Sequence, residues 1–293
     1  MSFYKAGTSE NIYPEDRPVK KERSPGRTAG VAGKGKELKM LIDDIKQCIK
    51  RVRVAADLNY PVYLTEKNGS FLRPFCILYQ IISVLFYRFV GRRMEYFVNE
   101  RIVEIPFVFK NLGRITGGKV LDFGNNDSLF TFHLASTGFK VTGADLFEYG
   151  FNHPNIEFKK GDFLKNEFEQ GSYDAALAIS ALEHVGLKAY RSDLYKNGDL
   201  AVSAKVRTLL KPGGIFIITM PYGTEHEDNF LRIYDKKRVE LLIKDFTVAE
   251  KRFYIRDHAM GNWHEADEET AGKVRYSRNR GVDCVICLAC IAS

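Results

Sequence analysis

The sequence predicts an α/β protein: a doubly wound, seven-stranded sheet with a helical N-terminal extension. Two observations carry the sheet. From about residue 96 onward, short runs of strand formers alternate with runs of helical periodicity. Acidic residues stand at the ends of the first three strand-like runs, Asp122, Asp145 and Asp162, where an open α/β sheet places its ligands. A third observation carries the extension. Within 37–95, apolar and charged residues recur at helical spacing without that alternation.

Residues 1–36 are polar, hold Pro14, Pro18 and Pro25, and read as a disordered or loosely ordered basic tail. The segment 37–95 opens on "ELKMLIDDIKQCIKRVRVAADL", a helical pattern, and passes Pro61 and Pro74 into the apolar helix Phe75–Val90, "FCILYQIISVLFYRFV". The domain 96–293 begins with "ERIVEIPFVFKNL", also helical, with Pro106 starting or kinking a turn. Seven strands follow: "KVLDF", "KVTGADL", "IEFKKGDF", "YDAALAIS", "IFIITMP", "FTVAEKRFYI" and "CVICLACIA". The helical runs among them are "SLFTFHLAST", "NGDLAVSAKVRTLL", which ends at "KPGG", and "KKRVELLI".

Net charge is +7, and it is uneven. Residues 1–60 hold 13 Lys/Arg against 8 Asp/Glu, which leaves 31 against 29 for the rest. The basic character belongs to the tail. The domain has almost no surplus with which to neutralise phosphates, which argues against nucleic acid as a partner. Phe75–Val90 is shorter than the ~18–20 apolar residues of a spanning helix. Gln80, Ser83, Tyr87 and Arg88 form a polar stripe on it. Packing on the domain is the expectation. The alternative is peripheral membrane contact, with Arg73, Arg88, Arg92 and Arg93 at the headgroups.

Cys284, Cys287 and Cys290 are spaced by three, which invites a metal. Their surroundings are those of a buried strand, in which Cys287 faces away from the other two. No metal site is therefore expected. Unpaired buried cysteines and the lack of an apolar segment in the first 40 residues point to a cytoplasmic setting, with membrane association if Phe75–Val90 lies at an interface.

"KVLDFGNNDS" has the outline of a strand entering a nucleotide-binding turn, yet carries one glycine, Gly124. Asp145 lies 23 residues beyond Asp122, about where such folds hold a ribose. Asn126 and Ser128 stand where glycines are usual. They would obstruct a pyrophosphate, so a nicotinamide-dependent oxidoreductase is the poorer alternative. Asn tolerates positive φ, so Asn126 is expected to keep the turn in shape.

From about Tyr96 onward the chain resembles the class I S-adenosylmethionine-dependent methyltransferases, with a Rossmann-like domain. "VLDFGNNDSLFTFHLASTGFKVTGADL" looks like their first motif and the acidic end of strand two. "GDF", "YDAALAISALEHVG" and "LLKPGGIFIITMP" look like the motifs that follow. The resemblance implies S-adenosyl-L-methionine as cofactor. It implies cofactor contacts at Asp122, Gly124, Asn125 and Asn126 in the turn. Asp145 and Leu146 would lie at the ribose, Asp162 and Phe163 at the adenine, and Ser180 and Ala181 at the end of strand four. A catalytically inactive binding or scaffold protein of the same fold is the alternative.

Methyl transfer from a sulfonium needs an aligned acceptor and a group to take its proton. His184, just past strand four, is the candidate general base, with an unperturbed pKa of about 6.5. Glu183 and His184 suggest a metal less than they otherwise would, because Ser180 stands where related segments have a further Glu. Substrate contacts are expected from Tyr190 and Arg191, and from His258, Trp263 and His264 in a loop before the last strand. "ERIVEIPFVFKNL" and "GLKAYRSDLYKNGDL" resemble methyltransferases of surface glycans and glycolipids. The expected acceptor is therefore a hydroxyl on a small molecule, glycan or glycolipid.

Overall fold

The computed structural model describes residues 98–292 apart from 114, 116, 127, 189–196, 260 and 279, together with positions 82, 85 and 88. The tail and nearly all of the 37–95 segment lie outside these. Positions 82, 85 and 88 are helical and exposed. Among the described residues, no helix is long and apolar enough to cross a membrane.

The domain starts with α1 (Arg101–Leu112), whose buried side chains Glu104, Ile105, Val108, Asn111 and Leu112 recur at helical spacing. Pro106 sits inside it. Then come β1 (Lys119–Phe123), α2 (Leu129–Ser136), β2 (Lys140–Asp145), β3 (Ile156–Lys160) and β4 (Tyr173–Ile179). A 3₁₀ turn, Leu182–His184, precedes α3 (Gly198–Leu209) and β5 (Leu210–Pro221). A short hairpin, β6 (His226–Glu227) and β7 (Arg232–Ile233), leads into α4 (Lys236–Leu242). The chain closes with β8 (Phe246–Asp257), β9 (Asn262–Ala266), α5 (Glu268–Gly272) and β10 (Cys284–Ala292).

Among the described residues the main sheet has eight strands, in the order β3-β2-β1-β4-β5-β10-β8-β9. Strands β3 to β5 of that order are parallel, and β10, the last in the chain, inserts antiparallel between β5 and β8. All seven expected strands are present. The eighth, β9, corrects the expectation of a loop at 258–264, since Trp263 and His264 lie on it, paired with Arg256 and Ile255 of β8. Its composition hid it: "NWHEA" is polar and mostly exposed, an edge strand with no apolar alternation to read.

Strand alternation divides the core into two faces. On β4, Ala176 and Ala178 pack into one cluster and Ala175 and Leu177 into the other. On β10, Cys284, Ile286, Leu288 and Cys290 enter the first cluster, while Cys287 and Ala289 enter the second with α1 and α2. Cys287 therefore does face away from its two neighbours in sequence, and all three are buried.

Candidate functional site

Because β1, β2, β3, β4 and β5 are parallel, their carboxyl ends share one edge. The turn after β1 is built there. Gly124 has φ 72°, and a Cβ on it would lie 2.5 Å from the Ala181 Cβ, so glycine alone lets this turn rest on the end of β4. Asn126 has φ 27°, and its N–H donates to Asp145 Oδ2 at 2.9 Å. Ser128 caps α2, its Oγ accepting from the Phe130 N–H at 3.2 Å. The two residues that replace glycines thus each take a defined place. One supplies the positive φ and the other supplies a helix cap.

Several of the expected contact residues turn inward. The Asp122 carboxylate is buried and accepts from Thr131 Oγ1 at 2.6 Å. Burial pushes its pKa up to about 7, with the hydrogen bond from Thr131 opposing and Asp145 adding to the rise. Asn125 is also buried, and its Nδ2 donates to the same Thr131 Oγ1 at 3.2 Å. Gly143 of β2 makes room for it, since a Cβ there would be 2.6 Å from that nitrogen. The Phe163 ring is buried edge-on against Phe123, with centroids 4.9 Å apart. These side chains hold the turn from below, and their backbone is what remains for a ligand.

Three expected residues do stand at the edge. Asp145 is half-buried at the end of β2 and also accepts from the Phe147 N–H at 2.9 Å. Leu146 beside it is exposed. Asp162 is half-buried and caps its own turn, accepting from the Leu164 N–H at 3.0 Å.

The end of β4 holds a network that the sequence reading missed. Ser180 has φ 44°, a conformation that only a strong local constraint maintains in a non-glycine residue. Its N–H donates to Thr219 O at 2.9 Å. Its hydroxyl turns away from the open edge to donate to Glu104 Oε1 at 2.8 Å. Glu104 is fully buried on α1 and ion-paired with Arg101. Glu183 is buried beside this group, and its Oε2 has no hydrogen-bond partner. Burial pushes the Glu183 pKa up to about 8, with the neighbouring Glu104 adding to the rise and Arg101 opposing it. The signal was legible in principle: a glutamate on the apolar face of a helix must find a partner.

His184 follows directly. Its Nδ1 lies 2.7 Å from Phe230 O, and its ring stands edge-on to the Phe230 ring at 5.2 Å. A carbonyl can only accept, so Nδ1 carries the proton and Nε2 is the basic nitrogen. Nε2 is 3.9 Å from Glu183 Oε1. Burial lowers the His184 pKa, opposed by the Phe230 carbonyl and helped by Arg101, which favours the neutral ring.

The remaining candidates are not gathered here. His258 pairs with Asp283 at 2.7 Å, and Trp263 Nε1 donates to Val98 O at 3.0 Å. Both lie toward the same edge, but β8 and β9 are three and four strands from β4. At ~4.8 Å per strand that separates them from His184 by roughly 14–19 Å. His264, on β9, is equally distant in strand order. Tyr190 and Arg191 lie outside the described residues. No group of three or more His, Cys, Asp or Glu that could hold a metal occurs among the described residues. A groove of about 370 Å³ is lined by the segment that joins β2 to β3 and by β3 itself, with Tyr149, Phe151, His153 and Phe158 among the lining residues.

Comparison with known proteins gives three findings. A family model described as a Caenorhabditis protein of unknown function, DUF268, matches residues 152–263. Among curated proteins, the chain is similar to the sterol 24-C-methyltransferase ERG6 of Saccharomyces cerevisiae, 29% identical over 111 residues, covering 37% of this chain and 23% of that one. It is also similar to the sterol 24-C-methyltransferase of Clavispora lusitaniae, 24% identical over 180 residues, covering 54% of this chain and 42% of the relative. The chain thus spans less than half the length of these relatives. Among solved structures, it is similar to an S-adenosylmethionine-dependent methyltransferase from Mesorhizobium loti, with TM-score 0.45, 17% identity, and 64% and 97% of the two chains covered. A Burkholderia thailandensis 1,6-didemethyltoxoflavin-N1-methyltransferase with bound 1,6-didemethyltoxoflavin and S-adenosylhomocysteine gives TM-score 0.43 and 15% identity, over 79% of this chain and 93% of that one.

Proposed function

We propose that this chain, a class I methyltransferase by fold, binds S-adenosyl-L-methionine at the turn after β1 and methylates a hydroxyl of a small molecule, glycan or glycolipid. The observation that carries this reading is the hydrogen bond from the Asn126 N–H to Asp145, which ties an open, glycine-started turn to the acid at the end of β2. The residues present fit the cofactor. Gly124 keeps the turn free of a Cβ, and on this reading Asp145 would meet the ribose and the backbone around Asp162 the adenine. When bound, the cofactor supplies an electrophilic methyl group. The protein's part is to hold the acceptor and take its proton. His184 Nε2 does the latter, and burial, by lowering the ring's pKa, favours the neutral form in which that nitrogen accepts. The sterol 24-C-methyltransferase relatives support methyl transfer in general terms.

Calorimetry or thermal shift tests the reading directly. S-adenosylmethionine and S-adenosylhomocysteine should each bind, and nicotinamide dinucleotides should not. Stabilisation by a nicotinamide cofactor alone would overturn it. Binding without transfer to any hydroxylated small molecule, sterol, glycan or glycolipid would leave the fold as a cofactor-binding scaffold.

A further inference from the structure

We propose that the β6–β7 hairpin sets the proton position on His184, with Asp228 as the positioning residue. The inference deepens the reading of His184 as the base and rests on it. Three observations on the hairpin carry it.

The first is the contact itself, Phe230 O to His184 Nδ1 at 2.7 Å, made by a backbone carbonyl 46 residues along the chain. The second is what aims that carbonyl. Asp228 Oδ1 accepts from both the Phe230 N–H at 2.7 Å and the Leu231 N–H at 2.9 Å, and the Asp228 N–H closes the turn on Leu231 O at 3.1 Å. One carboxylate thus fixes the peptide units on either side of Phe230. The third is the anchorage of the hairpin. Arg232 is buried and joins Glu227 at 2.6 Å, Asp199 at 3.4 Å and the Val185 carbonyl at 3.4 Å, the residue next to His184. The hairpin and the His184 turn are therefore braced as one piece.

The chemical consequence concerns which nitrogen is basic. A neutral imidazole with its proton on Nδ1 has its lone pair on Nε2. On methyl transfer the acceptor's hydroxyl proton passes to Nε2, while the other proton stays on Nδ1, donated to the Phe230 carbonyl. The resulting imidazolium then returns one proton to solvent. Free imidazole side chains have no such fixed assignment, so loosening the turn frees the ring to take the wrong tautomer.

Nitrogen-15 NMR of the histidine-labelled protein, without cofactor or acceptor, tests this apart from any activity. In the wild type, His184 should show a protonated Nδ1 and an unprotonated Nε2. A wild-type ring protonated on Nε2 would overturn the proposal outright, whatever the variants do. Asp228→Ala should yield a mixture of tautomers, and Asp228→Asn, whose Oδ1 still accepts two N–H bonds, should restore the wild-type pattern. An unchanged tautomer in Asp228→Ala would also overturn it. Where transfer is measurable, Asp228→Ala should lower turnover by about tenfold or more with cofactor affinity unchanged. A correct tautomer in a protein that transfers no methyl group would sink the enzymatic reading while leaving the positioning role in place.

Discussion

Asp145 joins the turn to the second strand through two backbone N–H groups, from Asn126 and Phe147. Replacing it with Ala should weaken S-adenosylmethionine by about 1.5–3 kcal/mol, the scale for hydrogen bonds to a charged group. Titration calorimetry on a folded variant checks this, and unchanged affinity would mean that the ribose lies elsewhere. His184→Asn should lower turnover by roughly 10²–10⁴-fold while leaving cofactor affinity nearly intact. Less than about a tenfold loss would return His184 to a structural role. At this scale the sequence was legible where a residue's intrinsic preference matched its task. Asn126 could be assigned its positive φ because asparagine tolerates that region. Phe230 could not be found the same way. It acts through a backbone carbonyl that every residue possesses, and only the hairpin decides where that carbonyl points.

At the scale of elements, β10 shows why three cysteines three apart need not form a site. Its alternation sends Cys284 and Cys290 into one cluster and Cys287 into the other. Burial pushes the thiols of Cys284 and Cys290 up to about 12, and Cys287 higher still. None should react with iodoacetamide in the native state at pH 8, and all should react on unfolding. Mass spectrometry of labelled native protein checks this, and rapid native labelling at Cys287 would contradict the packing described. Regular strands of this kind were readable because their apolar runs are long. The edge strand β9 was not, because Gly261 and Asn262 look like a turn and a half-exposed strand leaves no apolar period. The network of Glu104, Ser180 and Glu183 was hidden for another reason. It joins residues about 80 positions apart in the chain, and burial, which makes it costly and informative, is a property of the packed molecule.

For the molecule as a whole, the buried acids predict how stability depends on pH. Asp122 and Glu183 hold their protons to about pH 7 and about pH 8, above their ordinary values of 3.8 and 4.5. The folded state therefore binds more protons than the unfolded chain between those limits. Their contribution is full below about pH 4 and is lost as pH rises through 7 to 8. The cofactor-free protein should lose melting temperature from pH 5 to 8 relative to an Asp122→Asn, Glu183→Gln double variant. Parallel melting curves for the two proteins across that range would show that these acids are ionised in the folded state.

The placement of β10 has a further consequence, for the order of events during synthesis. The strand lies between β5 and β8, paired to both, yet it is translated after either of them. A nascent chain leaving the ribosome at about 5–20 residues per second must carry two unfilled strand edges until residues 284–292 emerge. Until then the half of the sheet around the turn after β1 can assemble through β1 to β5, but the far half has nothing to join it. A stop codon at position 284 should therefore give a product that is captured by chaperones or aggregates rather than a smaller working domain. A peptide of residues 284–292 supplied in trans during refolding should recover part of the soluble yield.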